Sequence, residues 1–230
     1  MRDFILQFAY FGLLLTILAF QLGLFLKRRF KLSIFNAPFV SIVVTIAVLL
    51  IFDIDYETYN QSAKYLTYFL TPATVCLAIP LYHQITLLKK HILAIVVSIT
   101  CGVLASLLSI FLLSLLLGLN HELYVTLLPK SITTPIGMKV SEMNGGIVTL
   151  TIVSICVTGV LGNTFAETAC KLFRLTDPVA RGLAIGTASH ASGTTRAMSM
   201  GEIEGAMSSL AIVVAGIITV LAVSLFVNLI

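Results

Sequence analysis

Long apolar runs separated by short polar segments occupy almost the whole chain. A transmembrane helix needs about 20 mostly apolar residues, and the apolar runs predict helices over residues 4–26, 38–52, 92–119, 146–173 and 206–230. Two further stretches are apolar but interrupted, by prolines in 65–88 and by glycines and hydroxyl side chains in 184–200. The pattern predicts an all-α integral membrane protein with about seven transmembrane helices.

The composition supports this class and excludes others. Hydrophobic residues make up 58% of the 230 residues and charged residues 10%, whereas soluble domains carry about 25% charged residues. We therefore expect one transmembrane domain over 1–230. The net charge of +4 comes from loop lysines and arginines, so no nucleic-acid partner is expected. The four cysteines neither pair nor cluster with histidine, and no catalytic motif is present, so we expect no enzyme activity, metal or cofactor.

Nine of the 14 lysines and arginines lie in three short segments, 27–31, 89–91 and 171–181. Short loops rich in Lys and Arg face the cytoplasm, which places these segments inside and the segments 53–64 and 202–204 outside. The N-terminus is then outside and the C-terminus inside. Residues 120–145 must enter and leave from the outer side, so we expect a re-entrant hairpin there.

This arrangement predicts two inverted-topology repeats, 32–119 and 146–230, each with one broken helix between two long ones. The two repeats share no obvious residue identity, so the prediction depends on the pattern alone. Paired interrupted helices in inverted halves are typical of secondary transporters, whose substrate site lies near the bilayer midplane.

The interruption in the second repeat is the polar segment GLAIGTASHASGTTRAMSMGEIEG, residues 182–205. Irregular backbone at membrane depth lines a cavity or is buried by protein. Arg196 can bind a carboxylate through two parallel hydrogen bonds, and His190 can donate to a substrate oxygen or carry a proton. The alternatives are an arginine that extends to the outer surface and a histidine bonded to a backbone carbonyl. The neighbouring hydroxyl groups complete the candidate site: Thr187, Ser189, Thr194 and Thr195.

Two Thr-Pro pairs, Thr71-Pro72 and Thr134-Pro135, have the composition of helix N-termini, because threonine caps a helix and proline suits its first turn. Helix N-termini bind anions, so Thr71 and Thr134 join the candidate substrate-binding residues. The alternative is a pair of proline kinks without a ligand. Lys130 supplies further positive potential. Lys139 and Glu142 can pair with each other, and Asn163 and Glu167 favour structural hydrogen bonds.

Three segments, 70–84, 127–146 and 182–211, resemble the LrgB/CidB family. The resemblance extends over essentially the whole chain. It implies a multi-pass protein of the bacterial cytoplasmic membrane, often paired with a smaller LrgA/CidA-like membrane protein. It also implies holin- or antiholin-like control of murein hydrolase export and lysis. A plant relative translocates glycolate and glycerate, and similar bacterial pairs are linked to pyruvate movement.

Two functions from different classes follow. The first is a carrier of small monocarboxylates such as glycolate, pyruvate or lactate, with its site at the broken helices. The second is a holin- or antiholin-like membrane protein that modulates murein hydrolase export and cell lysis. The expected partners are a small carboxylate, membrane lipid, a second copy of the chain in a dimer, and an LrgA/CidA-like protein.

Overall fold

The described part of the chain is helical throughout. The computed structural model describes residues 10–30, 37–76, 78–90 and 92–230, and these residues contain no β-strand. They fall into two compact units, Met1–Cys76 and Leu77–Ile230. The prediction of an all-α protein is therefore confirmed for these residues.

The described residues of the first unit form two apolar helices followed by three short helical elements. The elements are α1 (Phe11–Phe30), α2 (Ala37–Ile51), α3 (Tyr56–Ala63), a 3-10 helix (Lys64–Phe69) and α4 (Leu70–Cys76). Gly12 of α1 lies against the carbonyl of Tyr59 and donates its N–H to Ser62 Oγ at 2.8 Å. Asp55 caps α3, and its hydrogen bonds from the hydroxyl and amide of Thr58 lower the pKa of that carboxyl.

The second unit is built around three long helices. They are α7 (Ile92–Leu117), α10 (Val148–Leu172) and α12 (Glu202–Phe226). The shorter elements are α5 (Ala78–His83), α6 (Ile85–Lys90), α8 (His121–Leu127), α9 (Thr134–Met143), α11 (Pro178–Met200) and a 3-10 helix (Val227–Leu229).

Helix α11 is broken in the middle and folds back on itself. Ser189 has φ −139° and ψ 20°, and His190 has φ 44° and ψ −138°, so neither is helical. Gly182, before the break, lies against Glu204 of α12, and Gly205 of α12 lies against Met198, after the break. Both ends of α11 therefore lie beside the start of α12. We call residues 178–200 the α11 hairpin and Ser189-His190 its tip.

A second hairpin is formed by α8 and α9. Its base is joined to the start of α10, where Thr151 Oγ1 lies 2.9 Å from Thr126 O of α8 and 2.7 Å from Ser141 Oγ of α9, within hydrogen-bond distance of both. Its other end reaches the middle of α10, where Gly137 and Ile155 are in contact. Residues 120–145 are thus two short helices rather than one long helix, as a re-entrant hairpin requires. Its insertion into a membrane stays a prediction.

The bases of the two hairpins lie at opposite ends of the second unit. The base of the α8–α9 hairpin lies beside the end of α12, because the Tyr124 hydroxyl donates to Phe226 O at 2.9 Å and His121 Nδ1 lies 2.6 Å from Ile230 O. The base of the α11 hairpin lies beside the end of α10, around a cavity of about 310 Å³. We call the end that carries Lys171, Arg174 and Arg181 the basic end.

This geometry corrects the predicted sidedness. The sequence placed 171–181 inside and 202–204 outside, but Arg181 Nη1 lies 3.7 Å from Glu204 Oε1. The two segments therefore share one end, and the end of α12 lies at the other. The predicted placement of 171–181 and 202–204 on opposite sides is therefore wrong, because α11 turns back instead of crossing, and the sidedness of the C-terminus stays a prediction. The predicted orientation of residues 1–9 concerns residues outside those described.

Four helices are long and apolar enough to cross a membrane: α1, α7, α10 and the segment Glu202–Leu229. Helix α2 is apolar but shorter. The predicted count of about seven is not confirmed among the described residues, partly because the α11 hairpin replaces a predicted crossing. The inverted repeats 32–119 and 146–230 stay a prediction.

Several predicted helix ends move because charged residues extend the helices. Helix α1 continues through Lys27, Arg28 and Arg29, which were predicted to lie in a loop; the predicted start at residue 4 and Lys31 lie outside the described residues. Cations in a last turn interact favourably with the helix dipole. Helix α12 begins at Glu202 rather than at residue 206, with Glu202 and Glu204 in its first turn. Acidic side chains are favourable at that position for the same reason.

Candidate functional site

The two hairpins reach the middle of the long helices from opposite ends. At the α11 tip, His190 Nε2 lies 3.1 Å from Ile155 O, and Gly162 of α10 lies directly against Ser189. The α8–α9 turn contacts the middle of α7, where Ser131 Oγ lies 3.1 Å from Ser106 Oγ. Each half of the α11 hairpin is about 15 Å long at 1.5 Å per residue, which is half the thickness of a bilayer's hydrocarbon core. The α11 hairpin is therefore long enough for its tip to reach mid-depth when the hairpin is inserted in a bilayer.

A cavity of about 510 Å³ lies between them. It is bounded by one face of α7, by the α8–α9 turn and by the first half of α11. Its polar lining consists of Ser98, Ser106, Ser109, Lys130, Ser131 and Thr187. Its remaining lining is alanine, leucine and one glycine. Ligand cavities of a few hundred Å³ with a few polar groups on an apolar wall are typical of small-molecule sites.

Lys130 provides the formal charge of this cavity. Its side chain is partly buried and donates to Ser131 Oγ at 3.3 Å. None of the described carboxylates lies within ion-pair distance of its ammonium group. The three donor hydrogens of an ammonium group are thus not balanced by a protein anion, which leaves positive potential in the cavity.

Thr187 contributes a hydroxyl group without a partner. The residue is 8% exposed, and its Oγ1 has no hydrogen-bond partner among the described residues. Its methyl group faces Gly102 of α7, where an added Cβ would lie only 2.9 Å from Thr187 Cγ2. A buried hydroxyl without a hydrogen bond costs free energy. The residue is therefore suited to a ligand that accepts a hydrogen bond.

Arg196 lies in the second half of α11 and does not line this cavity. Its Nη2 atom forms an ion pair with Glu167 Oε1 of α10 at 2.8 Å. Asn163, one turn earlier on α10, donates to Ser192 O at 2.6 Å and to Thr195 Oγ1 at 2.8 Å. Asn163 and Glu167 therefore have the structural role that the sequence favoured, and Thr195 shares it. Arg196 retains one buried, unpaired donor, Nε.

The other residues of the α11 tip use their polar groups inside the protein. His190 is bonded to a backbone carbonyl, which is the structural alternative given for it. The Ser189 hydroxyl donates to Ile185 O at 2.8 Å. Thr194 Oγ1 donates to His190 O at 2.9 Å and lies 2.7 Å from Ser208 Oγ of α12. These hydrogen bonds hold the broken backbone in place. Such support is needed because the left-handed φ of His190 is an unfavourable conformation for a residue other than glycine.

The two Thr-Pro pairs lie close to helix starts. Thr133, not Thr134, occupies the N-cap position of α9, and its side chain makes no capping hydrogen bond. Thr134 is the first helical residue, and the following proline suits the first turn because it lacks an N–H donor. Thr71 and Pro72 are exposed and lie in the first turn of α4, in the other unit.

Of the residues predicted to form one carboxylate site, the structure brings two together at a cavity, Lys130 and Thr187. The others form internal contacts or lie elsewhere, and their role in substrate binding stays a prediction. The sequence analysis did not identify the face of α7 that lines the cavity. Ser98, Gly102 and Ser106 recur every four residues along an otherwise apolar helix, and this spacing places small and polar residues on one helical face.

The chain is similar to proteins of one family over nearly its whole length. The LrgB-like family profile matches residues 16–229. Relatives from Bacillus cereus and Bacillus anthracis, each named "Antiholin-like protein LrgB", are 35% identical over 218 residues, which cover 94% of this chain and 95% of each relative. No solved structure matches the chain.

These relatives and the apolar helices identify a membrane protein. The relatives' name fits the antiholin-like alternative better than the monocarboxylate carrier, for which the name gives no support. The resemblance found in the segments 70–84, 127–146 and 182–211 is confirmed, and the chain belongs to the LrgB-like family.

Proposed function

We propose that this protein is an antiholin-like membrane protein that restrains lysis of the bacterial cell, acting from the cytoplasmic membrane. The observation that supports this function most strongly is the 35% identity over 94% of the chain to proteins of that name. Such identity over nearly the full length of both proteins favours a shared activity rather than a shared fold alone.

The outer surfaces of the long helices suit this proposal. Leu116 and Leu117 of α7 and Leu221 and Leu225 of α12 are 68–79% exposed in the isolated chain. Apolar side chains of this size face lipid or another membrane protein. In this proposal they contact lipid, a second copy of the chain, or a smaller LrgA/CidA-like protein.

The test is deletion of the gene from its bacterial host. We expect the deletion to accelerate detergent-induced autolysis and to raise extracellular murein hydrolase activity, and expression of the wild-type protein to restore both. The matched control is a frameshifted copy at the same locus. Unchanged lysis and hydrolase activity in the deletion strain would refute the antiholin-like function.

A carrier of small monocarboxylates is the second candidate. The cavity with the unpaired cation of Lys130 favours it, because a ligand site near mid-depth between interrupted helices is typical of secondary transporters. The test is uptake of labelled glycolate, pyruvate and lactate into proteoliposomes, with and without the small partner protein. Saturable uptake by the wild-type protein supports the carrier, and uptake equal to that of empty liposomes refutes it.

A further inference from the structure

We propose that the cavity between α7, the α8–α9 turn and the α11 hairpin binds a small, singly charged anion through Lys130, Thr187 and the hydroxyl pair Ser106 and Ser131. This inference deepens the carrier candidate by naming the residues and charge class of its site. It does not require the antiholin-like function, because it concerns binding alone.

The donors available in the cavity can be counted from its hydrogen bonds. Lys130 uses one of its three hydrogens on Ser131 Oγ, so two remain. Ser106 and Ser131 share one hydrogen bond at 3.1 Å. Whichever hydroxyl donates in that pair, the other retains its hydrogen. Thr187 Oγ1 adds a fourth free donor.

The two remaining ammonium hydrogens can only donate, and the free hydroxyls can also donate, so the cavity favours a ligand that accepts hydrogen bonds. The hydroxyls of Ser98 and Ser109 do not add to this count, because they already donate to the carbonyls of Ala94 and Ser106. A negative ion in a low-dielectric cavity must replace its hydration with several aligned donors. The geometry therefore favours an anion over a neutral solute or a cation.

The charge class follows from the single cation. Lys130 is the one formally charged residue among the described residues that line the cavity. A singly charged anion is fully neutralised by it, whereas a divalent anion would leave one charge without compensation at this depth. Ala184 and Ala188 line the cavity beside Thr187, so this wall accepts a small apolar group such as a methyl.

The cavity extends from mid-depth toward the basic end. Its lining continues along α7 to Ser98 and along α11 to Ala180 and Leu175. An adjoining cavity of about 330 Å³ shares Ser98, Ala180 and Leu183 and continues to Ala94 and Asp177. A path from the basic end therefore leads past Asp177 to Lys130.

The test uses the purified full chain in deuterated detergent and acetate as the probe. Saturation-transfer NMR reports the acetate methyl protons when acetate contacts the protein, and acetate titrations give an apparent dissociation constant. We expect Lys130→Gln to weaken acetate binding by about tenfold or more, since charge-assisted hydrogen bonds are the strong ones. Lys139→Gln is the matched control, because Lys139 is an exposed lysine paired with Glu142. It should bind acetate as the wild type does.

Competition separates the charge classes. Nitrate should displace acetate from the wild-type protein, and sulfate at equal ionic strength should not. Thr187→Val should weaken acetate binding by about fivefold through loss of one neutral donor, with Thr100→Val as its control. The comparison of Thr187→Val with Thr100→Val also tests the site if Lys130→Gln does not fold.

Equal acetate binding by the wild type and Lys130→Gln, or by the wild type and Thr187→Val, overturns the site. Displacement of acetate by sulfate as readily as by nitrate overturns the charge class. The antiholin-like function fails separately, by unchanged autolysis in the deletion strain. The carrier fails separately, by absent flux in liposomes containing a protein that binds acetate.

Discussion

Substitution of Gly162 by alanine tests the contact between α10 and the α11 tip. An added Cβ at Gly162 would lie 2.1 Å from Ser189 Cβ. Carbon atoms pack favourably at about 3.5–4.0 Å, so the tip would have to move by more than 1 Å. Overpacking of this kind costs about 1–3 kcal/mol. The hydrogen bonds of Ser189 and His190 resist such a movement.

The matched control is Gly216→Ala on α12, where an added Cβ would meet Ile136 Cδ1 at an ordinary 3.4 Å. Replacing glycine by alanine inside a helix contributes up to about 1 kcal/mol of stability at either position. The difference between the two variants therefore isolates the clash, and we expect Gly162→Ala to be less stable by about 1–3 kcal/mol.

The assay is unfolding of the purified protein by sodium dodecyl sulfate in mixed micelles, followed by circular dichroism. The double variant Gly162→Ala/Ser189→Gly removes the atoms that clash and should recover most of the lost free energy of unfolding. Equal stability of Gly162→Ala and Gly216→Ala, or no recovery in the double variant, would show that the α11 tip does not lie against Gly162.

Three further predictions concern the hairpins. Cysteines at 174 and 202, placed singly in a cysteine-free background, should react with an impermeant thiol reagent from the same side of the membrane, and cysteines at 121 and 142 from the other side; labelling of 174 and 202 from opposite sides would contradict the folded-back α11. Arg196→Gln or Glu167→Gln alone should destabilise the protein more than both changes together, because each single change leaves the partner's charge unpaired. The measurement is a double-mutant cycle of the free energy of unfolding. Additive losses of this free energy would mean that the 2.8 Å ion pair does not couple the two residues. Tyr124→Phe should lower the free energy of unfolding by about 1 kcal/mol, through loss of its hydrogen bond to Phe226 O; an unchanged value would show that this bond does not stabilise the fold.

The sequence predicted the helical class and the interruption in 184–200, because apolar runs and the cluster of glycine and hydroxyl residues are local signals. It did not predict that α11 turns back. The predicted sidedness depended on Lys and Arg, and Glu202 and Glu204 were assigned by elimination, although acidic residues contribute little to topology. Gly182, Gly186 and Gly205 carried the missing information, since glycines spaced along helices permit close helix contact.

The candidate site was only partly predictable for a different reason. Residue type identified Arg196 and His190 as side chains that can bind a carboxylate. Whether they are free to bind one depends on their partners in the fold, and Glu167 pairs with Arg196 while Ile155 O bonds to His190. Lys130 was recognisable as a cation near a hairpin. The absence of a described carboxylate partner for it could be known only once α7 and α11 had been placed around it.

The bond between Tyr124 and Phe226 has a consequence for biosynthesis. Its partners are 102 residues apart in the chain, and His121 and Ile230 are 109 residues apart. At a synthesis rate of 5–20 residues per second, about 5–20 s pass between synthesis of Tyr124 and synthesis of its partner Phe226 at the end of α12. The Gly162 and Ser208 contacts of the α11 hairpin form between neighbouring segments and need no such wait. A nascent chain stalled before residue 226 would therefore hold a complete α11 hairpin and an α8–α9 hairpin that lacks its contacts with the end of α12, which a membrane-protein quality-control protease could recognise.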